Sequence, residues 1–323
     1  MGGCLITGEV CLERGGNKVK HWIFIGDSEK ILKQLEGGSI SLIVTSPPYF
    51  LMRGYCNYDS YEAYLEKMFN IFRECKRVLK YGRYMVINVC DYMVNGTKYP
   101  IPADIIMMCN KALNFQYVDN CIWEKPVGSS TSGAGSRCGN FVRYGFPLYY
   151  YPNNKYEHIL IFRKGKIDDY SKYYRPQFCY QNIEQFKNFL GDVWHFNTVS
   201  SSEDHPAKFP DILPKLVISF YSLPSEDEVV LDPFGGSGTS MKVARQLGRS
   251  SILIELEEKY LPVIKSKVGY GQQQITYEDR DEVVIPKLTG QLSLASSINN
   301  KEEIIKNVKV PVTKPIDWRI IND

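Results

Sequence analysis

Ser46-Pro47-Pro48-Tyr49 directly follows a mostly apolar run, Ile40 to Val44, and Thr45. The run predicts a short buried strand that delivers a serine, two prolines and a tyrosine to a sheet edge. Consecutive prolines fix φ at about −65° and remove two backbone donors, so the carbonyls around them stay unpaired and face any cavity beyond the strand. A hydroxyl, free carbonyls and an aromatic face suit the grip of a planar base by its exocyclic amine. A second chemical group lies far downstream. Asp232-Pro233-Phe234-Gly235-Gly236-Ser237-Gly238-Thr239 follows the short strand pattern Glu228–Leu231 and opens a helix pattern. A glycine loop in that place turns backbone N–H groups and the helix dipole toward a ligand. This loop lacks the lysine of a phosphate-gripping loop and the G-x-G-x-x-G spacing of dinucleotide folds. The acid before it, Asp232, suits a cationic ligand where a dinucleotide would offer pyrophosphate.

The elements that must position these groups alternate along the chain. Strands are predicted at Trp22–Ile25, Ile40–Thr45, Tyr84–Val89, Tyr117–Trp123, Ile159–Phe162, Glu228–Leu231 and Ser251–Ile254. Helices are predicted at Ser28–Leu35, Tyr61–Leu79, Pro102–Leu113, Pro210–Tyr221, Thr239–Leu247 and Glu257–Val268. Strands separated by helices of this length imply an α/β fold, a mostly parallel sheet with helices on both faces. Tyr64, Met68, Ile71, Phe72, Cys75, Val78 and Leu79 recur near the helical period and read as core, with Lys80-Tyr81-Gly82 as the stop. Residues 1–20 show no clear period and read as a lead-in. After Gly269 the pattern weakens, and Val308–Val312, with Pro311 confining it to an edge, is the best strand candidate.

Composition narrows the class. A chain of 323 residues with 44% hydrophobic and 23% charged residues suits a soluble globular enzyme. No apolar stretch approaches the roughly 20 residues of a membrane span, and no secretory leader pattern opens the chain, so a cytoplasmic location is expected. Nine scattered cysteines without a Cys-x-x-Cys pair, and four histidines not spaced as ligands, argue against disulfides and a metal site. The net charge of +3 is small, but its distribution is uneven. Between Val127 and Gly191 nine Lys/Arg face four acids, and the same window holds fifteen of the chain's 38 Phe and Tyr. Basic side chains among aromatics suit phosphate contacts and base stacking, although an aromatic loop layer packed on the core would look the same.

The two motifs together resemble the amino-methyltransferases of DNA, which move a methyl group from S-adenosylmethionine to an exocyclic nitrogen of cytosine or adenine. With the catalytic motif first, the cofactor loop 187 residues later (46 to 233) and the basic aromatic window between them, the order resembles the permuted beta class. The resemblance covers about Trp22 to Val268. It implies the fold of that family, S-adenosylmethionine as cofactor, no metal, and double-stranded DNA as substrate, with a restriction endonuclease as a possible companion. It divides the chain into a catalytic half, 21–162 with a mobile loop at 127–156, a target-recognition region, 163–191, and a cofactor half, 192–268, leaving 269–323 without a role.

For the cofactor, the resemblance implies Asp232, Phe234, Gly236, Ser237 and Thr239 in the loop, and Asp27 at the adenine amino group. Glu255 ends the strand about twenty residues past the loop, where an acid can accept from ribose hydroxyls. Lys208 would pair with the methionine carboxylate while Phe209 fills the wall. For catalysis it implies Ser46, Pro47, Pro48 and Tyr49. An exocyclic amine is a poor nucleophile because its lone pair is delocalised into the ring. Acceptors on its N–H bonds, Ser46 Oγ and the Pro47 carbonyl, would draw the nitrogen toward sp³, and Tyr49 would stack on the flipped base. Arg137, Arg143, Lys164, Lys166, Lys172 and Arg175 are the expected DNA contacts. Methylation at carbon 5 needs a thiolate that its family carries in a Pro-Cys dipeptide, and this chain has none. Family members with Ser at position 46 are mostly N4-cytosine enzymes and those with Asp mostly N6-adenine enzymes, which favours cytosine here, with adenine as the alternative. A DNA-binding protein without catalysis, and an enzyme acting on RNA or a small molecule, are the competing classes.

Overall fold

A computed structural model describes residues 6–14, 17–50, 58–94, 97–126, 147, 154–166, 186–199, 209–223, 225, 227–269 and 281–284. The strands are β1 (Ile6–Arg14), β2 (Asn17–Ile25), β3 (Ile40–Thr45), β4 (Leu79–Val89), β5 (Tyr92–Val94), β6 (Thr97–Tyr99), β7 (Gln116–Glu124), β8 (Tyr156–Arg163), β9 (Val193–His195), β10 (Val229–Asp232), β11 (Ser250–Glu255) and β12 (Asp281–Val284). The helices are α1 (Ser28–Leu32), α2 (Tyr61–Val78), α3 (Ile101–Met107), α4 (Ile212–Tyr221), α5 (Thr239–Gln246) and α6 (Leu261–Val268). Ten strands form one sheet in the order β12-β1-β2-β11-β10-β3-β4-β8-β7-β9, and β5 and β6 make a separate hairpin.

The central run β2-β11-β10-β3-β4 is parallel throughout, so five strands end on one edge. β8 runs antiparallel to both β4 and β7, which brings the start of β8 and the end of β7 to that same edge. The chain winds outward in opposite directions from β10 and from β3. Their junction is a topological switch point, where the loops diverge and leave a crevice for ligands.

Alternating side chains divide the core between the two faces. Ile43, Met85, Ile87, Leu160 and Phe162 pack with α1, α2 and α3 on one face. Leu42, Val44, Val86, Ile159 and Ile161 pack with α4 and α5 on the other, while Ile23, Ile25 and Leu253 meet α5 and α6. Helix α2 starts where Ser60 caps it, its hydroxyl accepting from Ala63 N–H at 3.1 Å. It buries Tyr64, Met68, Ile71, Phe72, Cys75 and Val78, each large apolar side chain worth roughly 1.5–3 kcal/mol.

Several sequence expectations change. Residues 6–14 are a strand and not a lead-in, and β2 begins at Asn17, because β1 and β2 pair as an antiparallel hairpin on the outer side of β11. α2 does stop ahead of Lys80-Tyr81-Gly82, at Val78, but the tripeptide is more than a stop. It forms the start of β4, where Gly82 takes φ +76° at an irregularity and donates to the Lys164 carbonyl. The helix expected over Pro102–Leu113 is α-helical only to Met107 and closes in a wider turn over Met108–Ala112. β12 lay in a stretch without pattern, and Val308–Val312 is outside the described residues.

Candidate active site

The glycine loop joins β10 to α5 at the switch point. Gly235 lies so close to β11 that a β-carbon there would come within 2.4 Å of the Leu253 side chain, and its N–H donates to the Ile254 carbonyl. Gly238 takes φ +82° immediately before α5, a conformation that side chains disfavour.

Asp232 is buried and does not hold its charge out to a ligand, contrary to the sequence expectation. Its Oδ1 accepts from Thr45 Oγ1 at 2.7 Å and Phe234 N–H at 3.1 Å, and its Oδ2 accepts from Ser240 Oγ at 2.5 Å. Burial raises its carboxyl above the usual range while these bonds pull it back. Asp232 therefore ties the end of β3 to the loop and to α5. Ser237 and Thr239 also turn inward, where the Lys267 ammonium of α6 donates to both hydroxyls at 2.8 and 2.6 Å.

A cleft of about 250 Å³ opens between the loop, α1 and α2. Asp27, Ser28, Pro48, Tyr58, Lys67, Ile71, Pro233, Phe234, Glu255 and Leu256 line it. Glu255 is buried at its floor, with Oε2 accepting from Gly236 N–H at 2.7 Å and Oε1 from Glu257 N–H at 2.9 Å. Asp27 caps α1 by accepting from Glu29 N–H at 2.9 Å, and Lys67 Nζ reaches its two oxygens at 2.9 and 2.8 Å. Cap and cleft wall are thus one residue. Two acids between the apolar walls of Ile71 and Phe234 fit a nucleoside that carries hydroxyls and a cationic substituent.

Ser46 leaves β3 beside this cleft, and Pro48 is part of its wall. Among the described residues, the Ser46 hydroxyl and the carbonyls of Ser46, Pro47 and Pro48 take part in no hydrogen bond. Tyr49 is buried, one ring face stacked on Tyr92 at 5.4 Å and 8°, and its hydroxyl accepts from Cys90 Sγ at 3.3 Å. Burial pushes its phenol well above the ordinary range. The β5–β6 hairpin thus occupies one side of the tyrosine, a contact that spacing gave no means of finding.

Two expected DNA contacts lie elsewhere. Lys164 follows the end of β8, at the sheet edge opposite Ser46, and its ammonium donates to the Arg77 and Leu79 carbonyls where α2 ends. Lys166 lines a shallow depression at that same far edge. Arg137, Arg143, Lys172, Arg175 and Lys208 are outside the described residues. Phe209 is half-buried against the α4 face of the core. Lys67 and Lys267 escaped the sequence reading because a lysine on an amphipathic helix looks like solvated surface until its partners are placed. Among the described residues no group of three His, Cys, Asp or Glu could hold a metal ion, and no helix is long and apolar enough to cross a membrane.

Residues 40–266 match the family model described as DNA methylase, of the N6/N4 type. The chain belongs to the N6/N4 DNA methylase family. Among its relatives, the Type II beta methyltransferase M.BslI of Bacillus sp. (strain NEB-606) is 30% identical over 75% of this chain, which spans only 27% of that protein. The Type II methyltransferase M.MjaI of Methanocaldococcus jannaschii is 28% identical over 79% of this chain and 93% of its own length. A DNA modification methylase of Thermus thermophilus, solved in complex with S-adenosyl-L-methionine, is similar with a TM-score of 0.59 and 27% identity, over 77% of this chain and 92% of that one. The cytosine-N4-specific PvuII DNA methyltransferase shares the fold at a TM-score of 0.60 and 20% identity, over 79% and 88%. S-adenosylmethionine is the cofactor of this chain, and the cleft between Asp27 and Glu255 has the acceptors and walls to receive it.

Proposed function

We propose that the chain methylates the exocyclic N4 of a cytosine flipped out of double-stranded DNA. The observation that carries this reading is the unpaired set of acceptors at the end of β3, Ser46 Oγ and the Pro47 carbonyl, next to the cofactor cleft. These acceptors take the two N–H bonds of the amine, turn its lone pair out of conjugation and hold it toward the cleft. S-adenosylmethionine supplies an electrophilic methyl group on a sulfonium. The nitrogen lone pair forms the new N–C bond as the methyl's bond to sulfur breaks, its electron pair staying on the sulfur. The nitrogen, cationic at that point, then loses a proton to water. Positioning and fixed polar groups carry this step, with no covalent enzyme intermediate.

Glu255 accepts from the ribose hydroxyls and Asp27 from the adenine amine, while Lys208 and Phe209 close over the methionine end. The inward-turned hydroxyls of Ser237 and Thr239 keep the loop in shape instead of meeting the ligand. Arg137, Arg143, Lys172 and Arg175 contact the phosphates, and a restriction endonuclease is the functional companion. The test is nucleoside mass spectrometry of duplex DNA incubated with the purified protein and S-adenosylmethionine. N4-methylcytosine is expected. N6-methyladenine alone would reassign the base and leave the family and cofactor in place.

A further inference from the structure

At the site edge, where β7 ends and β8 begins, lies a buried ion pair. Lys125 Nζ lies 2.5 Å from Glu157 Oε1, with the lysine side chain 1% exposed and the glutamate 12%. The ammonium also sits 5.2 Å from the centre of the Trp123 ring. Withdrawing two charges from water costs several kcal/mol per ion, and well-packed apolar residues in their place are often equally stable or more so. Strand cohesion does not require the charges. β7 and β8 already pair from Gln116↔Arg163 to Glu124↔Tyr156, and Lys125 N–H continues the ladder to the Lys155 carbonyl at 2.8 Å.

The place of the pair points to the chemistry. His158 pairs with Val89, so Glu157 arrives beside Cys90, with β4 between it and β3, the strand that leads into Ser46. Two interstrand spacings and a two-residue offset along the strands, together on the order of 12 Å, separate the backbones of Ser46 and Glu157, room for one planar base between their side chains. Alternation assigns Glu157 to the face of Ile159 and Ile161, and Lys125 to that of Cys121 and Trp123. Val44 packs in the same cluster, and Ser46 continues its row. The carboxylate is the end turned toward the catalytic residues. After burial, its negative field is the next cause that lifts the Cys90 thiol, which reaches about 12, and it also acts on the Tyr49 phenol. Lys125 opposes it at Cys90 more weakly.

We propose that Glu157, aimed by Lys125, is a positioning residue for methyl transfer, its negative end favouring the positive charge that builds on the exocyclic nitrogen. The inference rests on the methyl-transfer reading above and not on which base is methylated. It is tested in the full chain with Glu157→Gln, Glu157→Asp and the apolar double variant Lys125→Met with Glu157→Leu. Single-turnover transfer is expected to fall at least about tenfold in Glu157→Gln and in the double variant, and to recover in part in Glu157→Asp. The dissociation constants for S-adenosylmethionine and duplex DNA should stay within about twofold of wild type, and the double variant should melt at or above the wild-type temperature. A double variant that transfers methyl groups at the wild-type rate would overturn the inference alone, since only packing would then matter. A loss of DNA affinity with an unchanged transfer rate would overturn it as well. A wild-type protein that methylates no DNA would overturn the underlying reading and this inference with it.

Discussion

The polar groups of the glycine-loop cradle and those of the Ser46-Pro47-Pro48 loop, catalytic on the proposed reading, are treated in opposite ways. Asp232 accepts three hydrogen bonds, Glu255 two from backbone N–H groups, and Asp27 a cap bond and a lysine. Ser46 and the carbonyls of Ser46, Pro47 and Pro48 accept none among the described residues. A cradle must hold its shape, so the fold spends its donors there. On the proposed reading, a loop that accepts the N–H bonds of a substrate amine must keep its acceptors uncommitted, and two prolines do this by withdrawing the nearest N–H groups.

The largest expected effect breaks the cradle. Asp232→Ala leaves the hydroxyls of Thr45 and Ser240 and the Phe234 N–H without their acceptor, at a cost of about 3–5 kcal/mol. Urea denaturation measures it, and a variant of wild-type stability would remove Asp232 from the centre of the comparison. Glu255→Gln comes next. An amide must set a donor against Gly236 N–H or Glu257 N–H, so affinity for S-adenosylmethionine should fall about 10–100-fold, as for bonds worth roughly 1.5–3 kcal/mol. Titration calorimetry showing undiminished affinity would exclude Glu255 from the ligand's contacts.

Beneath the cradle, His21 sharpens the comparison through pH. Its Nδ1 meets Ser251 Oγ at 2.7 Å, its Nε2 has no partner among the described residues, and burial, aided by the Arg245 charge, lowers its pKa to about 3. The unfolded chain takes up this proton near the ordinary value of 6.5 and the folded chain only near 3. Its contribution to stability is therefore complete above about pH 6.5 and is lost as pH falls toward about 3. The urea midpoint of the wild type should decline across that window, and His21→Leu should flatten the decline; equal slopes in both proteins would contradict the assignment.

The smallest expected effect is that of the two far-edge lysines on DNA binding. Lys164→Met with Lys166→Met should leave affinity and its salt dependence unchanged, since both residues occupy the edge away from Ser46. Neutralising Arg137, Arg143, Lys172 and Arg175 should reduce the salt slope by roughly 0.9 for each phosphate contact removed. Filter binding over a range of salt distinguishes the two sets, and the reverse pattern would move the DNA surface to the far edge.

Ile40–Thr45 was legible to the residue because a mostly apolar run between Gly37-Gly38 and Pro47-Pro48 leaves a buried strand few other limits. α2 was legible because its apolar stripe persists for eighteen residues. β1 was not, since Ile6–Arg14 alternates weakly and gains its order by pairing with β2. In the site, residue types located the cradle but not the direction of its side chains. Asp232, Ser237 and Thr239 turn inward because Thr45, Ser240 and Lys267 meet them there, partners between 8 and 187 positions away in the chain or on another helix. Lys164 looked like one more member of a basic window, and only the antiparallel return of β8 carries it to the other edge.

Ser46→Ala tests most directly the claim that the uncommitted acceptors do the chemistry while the bonded acids hold the cofactor. Single-turnover transfer to duplex DNA should fall by about 10²–10³, or roughly 2.7–4 kcal/mol of barrier, with calorimetric affinity for S-adenosylmethionine unchanged. Full transfer activity in a folded Ser46→Ala protein, or a loss of cofactor affinity equal to the loss of rate, would contradict the account.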